Sequence, residues 1–216
     1  MIKTIQNMNP DKEIRPVTDP SVSRYGYVMR NIETESLIEL SLSLFEDKEG
    51  TQYIPSDQRM EALPVKSSLE RLAFGELPIQ VGCCYGMNHH LNGMEYHATN
   101  ELIIAATDLV LMLGKVQDIR EDGTWHSANT EFYYMNKGEA LVIYSSTLHL
   151  APCRVSEDPF NAIIVLPKGT NEALSGEPHS TLFKNNKWML AHQEGPAAKN
   201  GALVKTVGVN IELTVN

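Results

Sequence analysis

Short apolar stretches separated by glycine, proline or polar turns follow one another from residue 79 onward. Such spacing is typical of an antiparallel barrel or sandwich and does not fit alternating strand–helix units. The stretches with strand character are Ile79–Val81, Leu102–Leu113, Phe132–Met135, Ala140–Tyr144, Asn161–Leu166, Lys187–Leu190 and Val207–Leu213, with a shorter one at Tyr25–Arg30. The pattern therefore predicts a fold dominated by β-strands.

The first third of the chain has a different pattern. Positions 37, 40 and 44 have the spacing of one helix face with Thr34 as a cap, whereas positions 38, 40, 42 and 44 alternate as in a strand, so the segment 34–44 stays open between the two. Ser67–Glu70 has capping-box spacing and predicts a short helix over residues 67–74, ended by Gly75. The segment up to Pro20 is expected to be extended or irregular, and Glu46–Gly50 to form a polar turn.

The length of 216 residues suits one large domain. Hydrophobic and charged contents of 42% and 21% are ordinary for a globular protein, and the sequence has no internal repeat or low-complexity linker. We therefore expect a single domain over residues 1–216. Residues 1–76 would form an N-terminal extension packed on a barrel, residues 77–170 the barrel core, and residues 171–216 the C-terminal strands and loops.

Charge and cysteine content narrow the possible partners. A formal net charge of -9 argues against general binding to nucleic acid or to anionic membranes, because there is no basic surplus to meet phosphates. The first twenty residues lack the apolar core of a signal peptide, and no apolar run reaches the roughly 20 residues that span a membrane. Three cysteines, Cys83, Cys84 and Cys153, do not make a disulfide framework, so a cytoplasmic location is expected.

Candidate chemistry is concentrated in the motif Glu95-x-His97-x-x-x-Glu101. In an extended chain Glu95 and His97 point to the same side, and Glu101 opens a long apolar run. Further along, His149 could supply a second imidazole. Two carboxylates and two neutral imidazoles would offset a divalent charge and suit Mn, Fe, Zn, Co or Ni better than Ca or Mg. Taken alone, a motif this short also arises by chance.

Together with a second motif, Gly138 to His149, this pattern resembles the two-motif signature of the cupin superfamily. The first cupin motif usually reads H-x-H, three or four residues, then E, so here Glu95 stands in place of the first histidine. The second motif has Tyr144-Ser-Ser146 where P-x-G is usual. The resemblance implies a small antiparallel β-barrel with a few short, mainly N-terminal helices. It also implies a divalent transition metal held by Glu95, His97, Glu101 and His149, and a homodimer paired through sheet edges.

The chain as a whole resembles an uncharacterised family of bacterial cupin-like proteins, a domain of unknown function. One phrase is also loosely similar to cupin isomerases that act on uronic acids and depend on a metal. The stretches that carry the family resemblance are 77–88, 91–97, 148–153, 165–171 and 186–192.

Several polar residues near the motifs are candidates for other roles. The candidates for the general base of an isomerase are His89, His90, Glu139 and Lys168. Each of them could instead be an exposed or hydrogen-bonded polar residue without a catalytic role.

Asn88 and Asn92 could bind sugar hydroxyls or form tight turns. Lys168 could meet a carboxylate or phosphate at the barrel mouth or lie in a surface turn. Lys187, Trp188 and His192 are expected to cover one end of the barrel, Trp188 by packing.

Cys83 and Cys84 adjoin the first motif, but no partner residue or CxxC spacing supports a reactive thiolate, so inert packing is expected. No role is assigned to His126 or His179, which lie in polar loops.

These observations favour a metal-dependent enzyme of carbohydrate metabolism, an isomerase or epimerase of a small sugar or sugar acid. The alternative is a non-catalytic sugar-binding or regulatory cupin. The missing first-motif histidine favours it, because a degenerate motif can mark lost catalysis. An iron-dependent oxygenase is less favoured, because those sites usually use two histidines with one carboxylate.

Overall fold

The computed structural model describes residues 1–44, 50–176 and 180–215. The predicted turn at Glu46–Gly50 falls almost entirely outside the described residues, and His179 also lies outside them. Within the described ranges, no helix is both long and apolar enough to cross a membrane.

Five α-helices and fifteen strands are present in the described parts of the chain. The helices are α1 Ile2–Met8, α2 Glu35–Ser43, α3 Gln58–Glu61, α4 Val65–Phe74 and α5 Pro196–Lys199. The first eight strands are β1 Ile14–Pro16, β2 Gly26–Met29, β3 Thr51–Ile54, β4 Ile79–Gly86, β5 Gly93–Tyr96, β6 Glu101–Ala105, β7 Leu109–Lys115 and β8 Trp125–His126. The remaining strands are β9 Glu131–Met135, β10 Ala140–Ile143, β11 Thr147–Leu148, β12 Phe160–Pro167, β13 Leu182–Lys184, β14 Lys187–His192 and β15 Val204–Val207.

Two sheets enclose the main core. The larger has the strand order β2-β10-β6-β12-β4-β3, and the smaller has the order β1-β9-β7-β11. Apolar side chains from both sheets meet between them, among them Ile103, Leu111, Tyr133 and Ile164. Pairing within these sheets is antiparallel except between β1 and β9. The predicted cupin-like β-barrel is confirmed.

The outer faces of both sheets are also covered. Helices α2, α3 and α4 pack on the larger sheet, and α1 contributes Ile5 to a cluster on the outer side of β7 and β9. Strands buried on both faces carry continuous apolar runs instead of an alternating pattern. This explains why β4, β6 and β12 are mostly apolar without alternation, although they also contain Gln80, Glu101 and Asn161.

A third set of strands is formed mainly by the C-terminal part of the chain. It has the order β13-β14-β15-β8, and β5 pairs with β14. Met189 of β14 lies opposite Glu95 of β5 in an antiparallel register. Strand β14 is therefore the element next to the predicted first motif.

Four local predictions need correction. The predicted irregular N-terminus contains helix α1, which is held by burial of Ile5 and by Asn9 Nδ2 donating to the carbonyl of Thr214 (2.9 Å). The apolar run Leu102–Leu113 is two strands, β6 and β7, separated by a turn at residues 106–108. Of the predicted strand Val207–Leu213, only Val207 belongs to a strand, namely β15, which begins at Val204.

The fourth correction concerns helix starts. Helix α4 begins at Val65 after Pro64, two residues earlier than predicted, and Glu70 accepts from Lys66 Nζ (2.8 Å) instead of forming a capping box. Gly75 ends this helix at φ 59°, as predicted. Residues 35–43 are helical, which settles the open segment, although Thr34 makes no side-chain cap.

Candidate metal centre

Main-chain pairing brings the two cupin-like motifs together. The Glu95 N–H donates to the His149 carbonyl (2.6 Å), and the His149 N–H donates to the Glu95 carbonyl (3.0 Å). His97 follows β5 and Glu101 opens β6, so both lie beside this contact. Residues separated by more than fifty positions in the sequence thus share one site.

The four predicted ligands are brought together in the barrel. His97 Nε2 lies 3.1 Å from Glu101 Oε2 and 3.8 Å from Glu95 Oε1, and His149 Nε2 lies 3.3 Å from the same Glu101 oxygen. The two imidazole centroids are 5.3 Å apart. All four residues are buried, none being more than 8% exposed.

Hydrogen bonds to backbone carbonyls fix the tautomer of both imidazoles. His97 Nδ1 lies 2.7 Å from the carbonyl oxygen of Asn186, and His149 Nδ1 lies 3.1 Å from that of Thr147. A carbonyl oxygen can only accept, so each Nδ1 carries the proton and each neutral ring has its lone pair on Nε2.

Both Nε2 atoms then face the carboxylate of Glu101. Lone pairs repel a carboxylate, so this arrangement requires a positive charge at that point, either extra protons on the rings or a metal ion. His97 Nε2 is buried and makes no well-directed hydrogen bond within the described structure. Outer-shell carbonyls that hold Nδ1–H are the usual partners of metal-binding histidines. The donor set of two imidazoles and two carboxylates fits a divalent transition metal.

The charged groups inside the centre shift one another's pKa. Burial opposes ionisation of Glu101, but the adjacent His149 and His97 outweigh it and lower the pKa of the carboxyl group. Burial likewise opposes protonation of His149, but Glu101, and secondarily Glu95, outweigh it and raise the pKa of the imidazole. The protein therefore favours a carboxylate at Glu101 with positive charge beside it.

Lys187 adds a cation that sequence reasoning did not place here. Its Nζ forms an ion pair with Glu95 Oε2, while Glu95 Oε1 faces His97. The lysine and glutamate side chains are both largely buried. In the antiparallel pair of β5 and β14, Glu95 faces Met189, so Lys187 lies diagonally across from it on the same face. An isolated lysine in an otherwise apolar strand was the available signal.

A cavity of about 130 Å³ opens beside these residues. Its polar lining includes Glu95, Glu101, His149 and Lys187, and much of the rest is apolar. The complete lining is Thr51, Tyr53, Cys84, Glu95, Glu101, Ile103, His149, Leu150, Ala151, Pro152, Ile164, Asn171 and Lys187.

Tyr53 and Asn171 supply further polar groups to the cavity. Asn171 Nδ2 donates to the Tyr53 hydroxyl oxygen (3.0 Å), which leaves the Tyr53 O–H able to donate elsewhere. Asn171 Oδ1 is buried and accepts no hydrogen bond among the described residues. The pair thus offers one donor and one acceptor, the groups that bind a hydroxyl-bearing ligand. Asn171 lies in the segment that was expected to place Lys168 at the barrel mouth.

The other predicted base candidates lie outside the cavity lining. Lys168 is exposed in the turn after β12. Glu139 accepts from the Asn136 N–H (2.7 Å) and closes the turn before β10. His89 and His90 lie in the loop between β4 and β5 and approach Glu212.

Asn88 and Asn92 are likewise bound into loops. Asn88 Nδ2 contacts three carbonyl oxygens, those of His90, Ala151 and Pro152, at 3.0–3.2 Å. Asn92 has a left-handed backbone at φ 60°, and its Nδ2 donates to Asn88 Oδ1 (2.9 Å). Both line a separate surface depression with Phe183 and Lys184. Their predicted sugar-binding role remains untested.

The three cysteines are free and buried. Burial raises the pKa of the Cys83 thiol to about 11 and that of Cys153 to about 12, and it raises the pKa of Cys84 as well. Cys84 lines the cavity but is held as the neutral thiol.

Comparison with known proteins gives a family without an assigned activity. A family described as "Domain of unknown function (DUF4867)" matches residues 14–211. No curated protein matches the chain.

Solved structures match only in part. They include a variant of Bacillus subtilis oxalate decarboxylase OxdC, at 12% identity and TM-score 0.36 over 59% of this chain and 28% of that one. CapF with a bound inhibitor matches at 18% identity and TM-score 0.34, over 43% of this chain and 25% of that one. Fe(II)-HppE matches at 12% identity and TM-score 0.30, over 40% of this chain and 41% of that one. The chain thus covers less than half the length of each.

Proposed function

We propose that this chain, which belongs to the DUF4867 family, is a metal-dependent cupin-like enzyme. Its substrate would be a small sugar or sugar acid, which it would isomerise or epimerise. The observation that carries this proposal is the pair of imidazoles whose Nε2 lone pairs converge on buried carboxylates at the edge of a cavity.

Glu95, His97, Glu101 and His149 would hold the metal. Such an ion would polarise a carbonyl oxygen and an adjacent hydroxyl of the substrate, which eases removal of the proton between them. Two imidazoles and two carboxylates could bind Mn, Fe, Zn, Co or Ni, so the metal is not specified further. The ligand set predicted from the sequence is kept as part of this proposal.

The charge balance of the site favours an acidic substrate. Two carboxylates offset the charge of a divalent ion, and the ammonium of Lys187 then adds one positive charge beside the cavity. A carboxylate or another anionic oxygen group would be attracted to this excess. A sugar acid therefore fits the site better than a neutral sugar.

The lining residues can bind and move protons. Tyr53 can donate to a substrate oxygen, and Asn171 Oδ1 can accept from a substrate hydroxyl. Isomerisation transfers a proton from one carbon to its neighbour, and the base must lie within about 3 Å of that proton. Among the described lining residues outside the four proposed ligands, Lys187 and Tyr53 are groups to test in this proton transfer, in addition to His89, His90, Glu139 and Lys168, which lie outside the lining.

The test combines metal analysis with substrate screening. Wild-type protein and the His97→Ala and His149→Ala variants would be purified without added metal and analysed for elements, with His126→Ala as a histidine control outside the cluster. We expect each ligand variant to lose about one transition-metal ion per chain relative to wild type and to lose conversion of pentoses, hexoses or uronic acids. Retained metal together with retained turnover in His149→Ala would contradict the assignment. Saturable sugar binding without conversion, with Mn²⁺ or Zn²⁺ present, would support the alternative of a non-catalytic binding protein.

A further inference from the structure

A second histidine–carboxylate cluster lies on the surface, formed by His89, His90 and Glu212. His89 Nε2 is 3.5 Å from Glu212 Oε1, and His90 Nε2 is 3.9 Å from Glu212 Oε2. The two rings are close, with centroids 4.2 Å apart. One ligand atom from each residue lies within 4.8 Å of the other two. None of the three lines the central cavity.

Main-chain hydrogen bonds hold the cluster on both sides. His90 and Glu212 face each other in an antiparallel bridge. The Leu213 N–H donates to the His89 carbonyl (2.8 Å), and the Leu91 N–H donates to the Ile211 carbonyl (2.8 Å). The three side chains therefore project from two segments that are already fixed to each other. Binding of a ligand at this point would therefore cost little conformational entropy of the backbone.

The distances fit ligation better than hydrogen bonding. Contacts of 3.5 and 3.9 Å are too long for strong hydrogen bonds between an imidazole and a carboxylate. Two atoms that each lie about 2.1 Å from one tetrahedral ion are roughly 3.4 Å apart, which small side-chain rotations would reach.

The protonation of the rings suits a metal as well. His89 Nδ1 lies 3.1 Å from the carbonyl oxygen of Met87, which can only accept, so the lone pair of the neutral ring is on Nε2, facing Glu212. Neutral imidazoles are the form that binds transition metals.

We propose that His89, His90 and Glu212 form a second transition-metal site, separate from the barrel centre, for an ion such as Zn²⁺. Two imidazole nitrogens and one carboxylate oxygen would bind it, and its exposed side would stay open to water. The ion would link the loop between β4 and β5 to the segment 209–213 that follows β15. The same loop is joined through Asn88 to the carbonyls of Ala151 and Pro152, two and three residues beyond His149.

Calorimetric titration of the full chain with Zn²⁺ tests this inference. The titration would compare wild type, His90→Gln, Glu212→Gln and the exposed-carboxylate control Glu121→Gln, each also in a His97→Ala background that removes the central site. We expect one binding event to persist in His97→Ala alone. We expect it to weaken at least about tenfold with either cluster substitution and to be unchanged with Glu121→Gln.

Amide hydrogen exchange gives an independent readout. Zn²⁺ should slow exchange of the Leu213 and Leu91 N–H groups in His97→Ala, and it should not do so when Glu212→Gln is added. The second site does not exist if Zn²⁺ binding disappears completely in His97→Ala. It also does not exist if binding persists unchanged when His90→Gln or Glu212→Gln is added to His97→Ala. Either result would leave the proposal for the barrel centre standing, because the two sites share no residue.

Discussion

At the scale of single residues, the ion pair of Lys187 and Glu95 is the feature that most shapes the proposed chemistry. A buried carboxylate is costly unless it is paired, and Glu95 lies among several ionisable groups, close to His97 and His149. Lys187 offsets one negative charge while leaving Glu95 Oε1 directed at His97. Lys187 thus contacts a proposed metal ligand and also lines the cavity.

Replacing Lys187 should weaken the binding of acidic substrates more than that of neutral substrates. In Lys187→Met, the KM for a sugar acid should rise by ~10-fold to ~150-fold, because a charged hydrogen bond contributes about 1.5–3 kcal/mol. The KM for a neutral sugar should change less, and the metal content should be retained. Lys168→Met, which removes an exposed lysine outside the cavity lining, is the matched control. Equal effects on both substrates, or an effect of Lys168→Met alone, would contradict the assigned role.

The cysteines should be unreactive in the folded protein. Because burial raises the pKa of Cys83 to about 11 and that of Cys153 to about 12, almost no thiolate is present at pH 8. A thiol reagent such as 5,5′-dithiobis(2-nitrobenzoate) should label none of the three in native protein and all three after unfolding. Fast labelling of Cys84 in the native state would indicate that the cavity thiol is activated.

At the scale of elements, helix α2 illustrates how the N-terminal region is attached to the barrel. It buries Leu37 and Ile38 against the larger sheet. Ser41 Oγ donates to Asn161 Oδ1 of β12 (2.5 Å), and Asn161 Nδ2 donates back to the Ser41 carbonyl (3.2 Å). This reciprocal contact fixes the helix at one position on the sheet.

Removal of the Ser41 hydroxyl should destabilise the fold measurably. Ser41→Ala leaves the buried Asn161 Oδ1 without its donor, which should lower the free energy of unfolding by about 1–3 kcal/mol. Ser43→Ala, on the exposed side of the same helix, should change it by no more than about 0.5 kcal/mol. Urea denaturation of both variants measures the difference. Equal stability of the two variants would show that the helix is held by apolar contacts alone.

At the scale of the whole molecule, the site joins distant parts of the chain. The proposed ligands come from β5, the segment that follows it, β6 and the segment after β11, while β3 and β14 contribute Tyr53 and Lys187 to the cavity. A metal bound to the folded protein and not to the unfolded chain stabilises the fold by mass action. Metal content and thermal stability should therefore change together. The expected homodimer, the single-domain organisation and the cytoplasmic location remain predictions.

Loading the barrel centre with metal should raise the melting temperature. At a free metal concentration of one hundred times Kd, the gain is about 2.7 kcal/mol. For a protein of this size, that gain corresponds to a shift of about 5–11 °C. The shift should appear in a Glu212→Gln background, which isolates the barrel centre, and disappear when His97→Ala is added. Differential scanning calorimetry with Mn²⁺, Zn²⁺ or excess chelator measures it, and an equal shift in both backgrounds would contradict binding at His97.

The sequence by itself determined the fold class and the four residues that meet in the barrel. Runs such as Ile79–Val81 and Asn161–Leu166 are mostly apolar because both faces of their strands are buried, and that requirement is visible without a structure. Glu95 and His97 share one side because alternation along a strand is a local property. His149 was already a candidate for the second imidazole, and the family resemblance gave the reason to place it beside Glu95 and His97.

Only the tertiary structure decided the rest. Helix α1 forms because Ile5 is buried in a cluster that includes Val110 and Phe132, more than one hundred residues away. The open segment 34–44 is helical because Leu37, Ile38 and Ser41 face the sheet together. Lys187 and Asn171 enter the site through strand register and a left-handed turn, neither of which has a distinctive sequence pattern. Local periodicity is specified by neighbouring residues, whereas such contacts depend on how distant strands align.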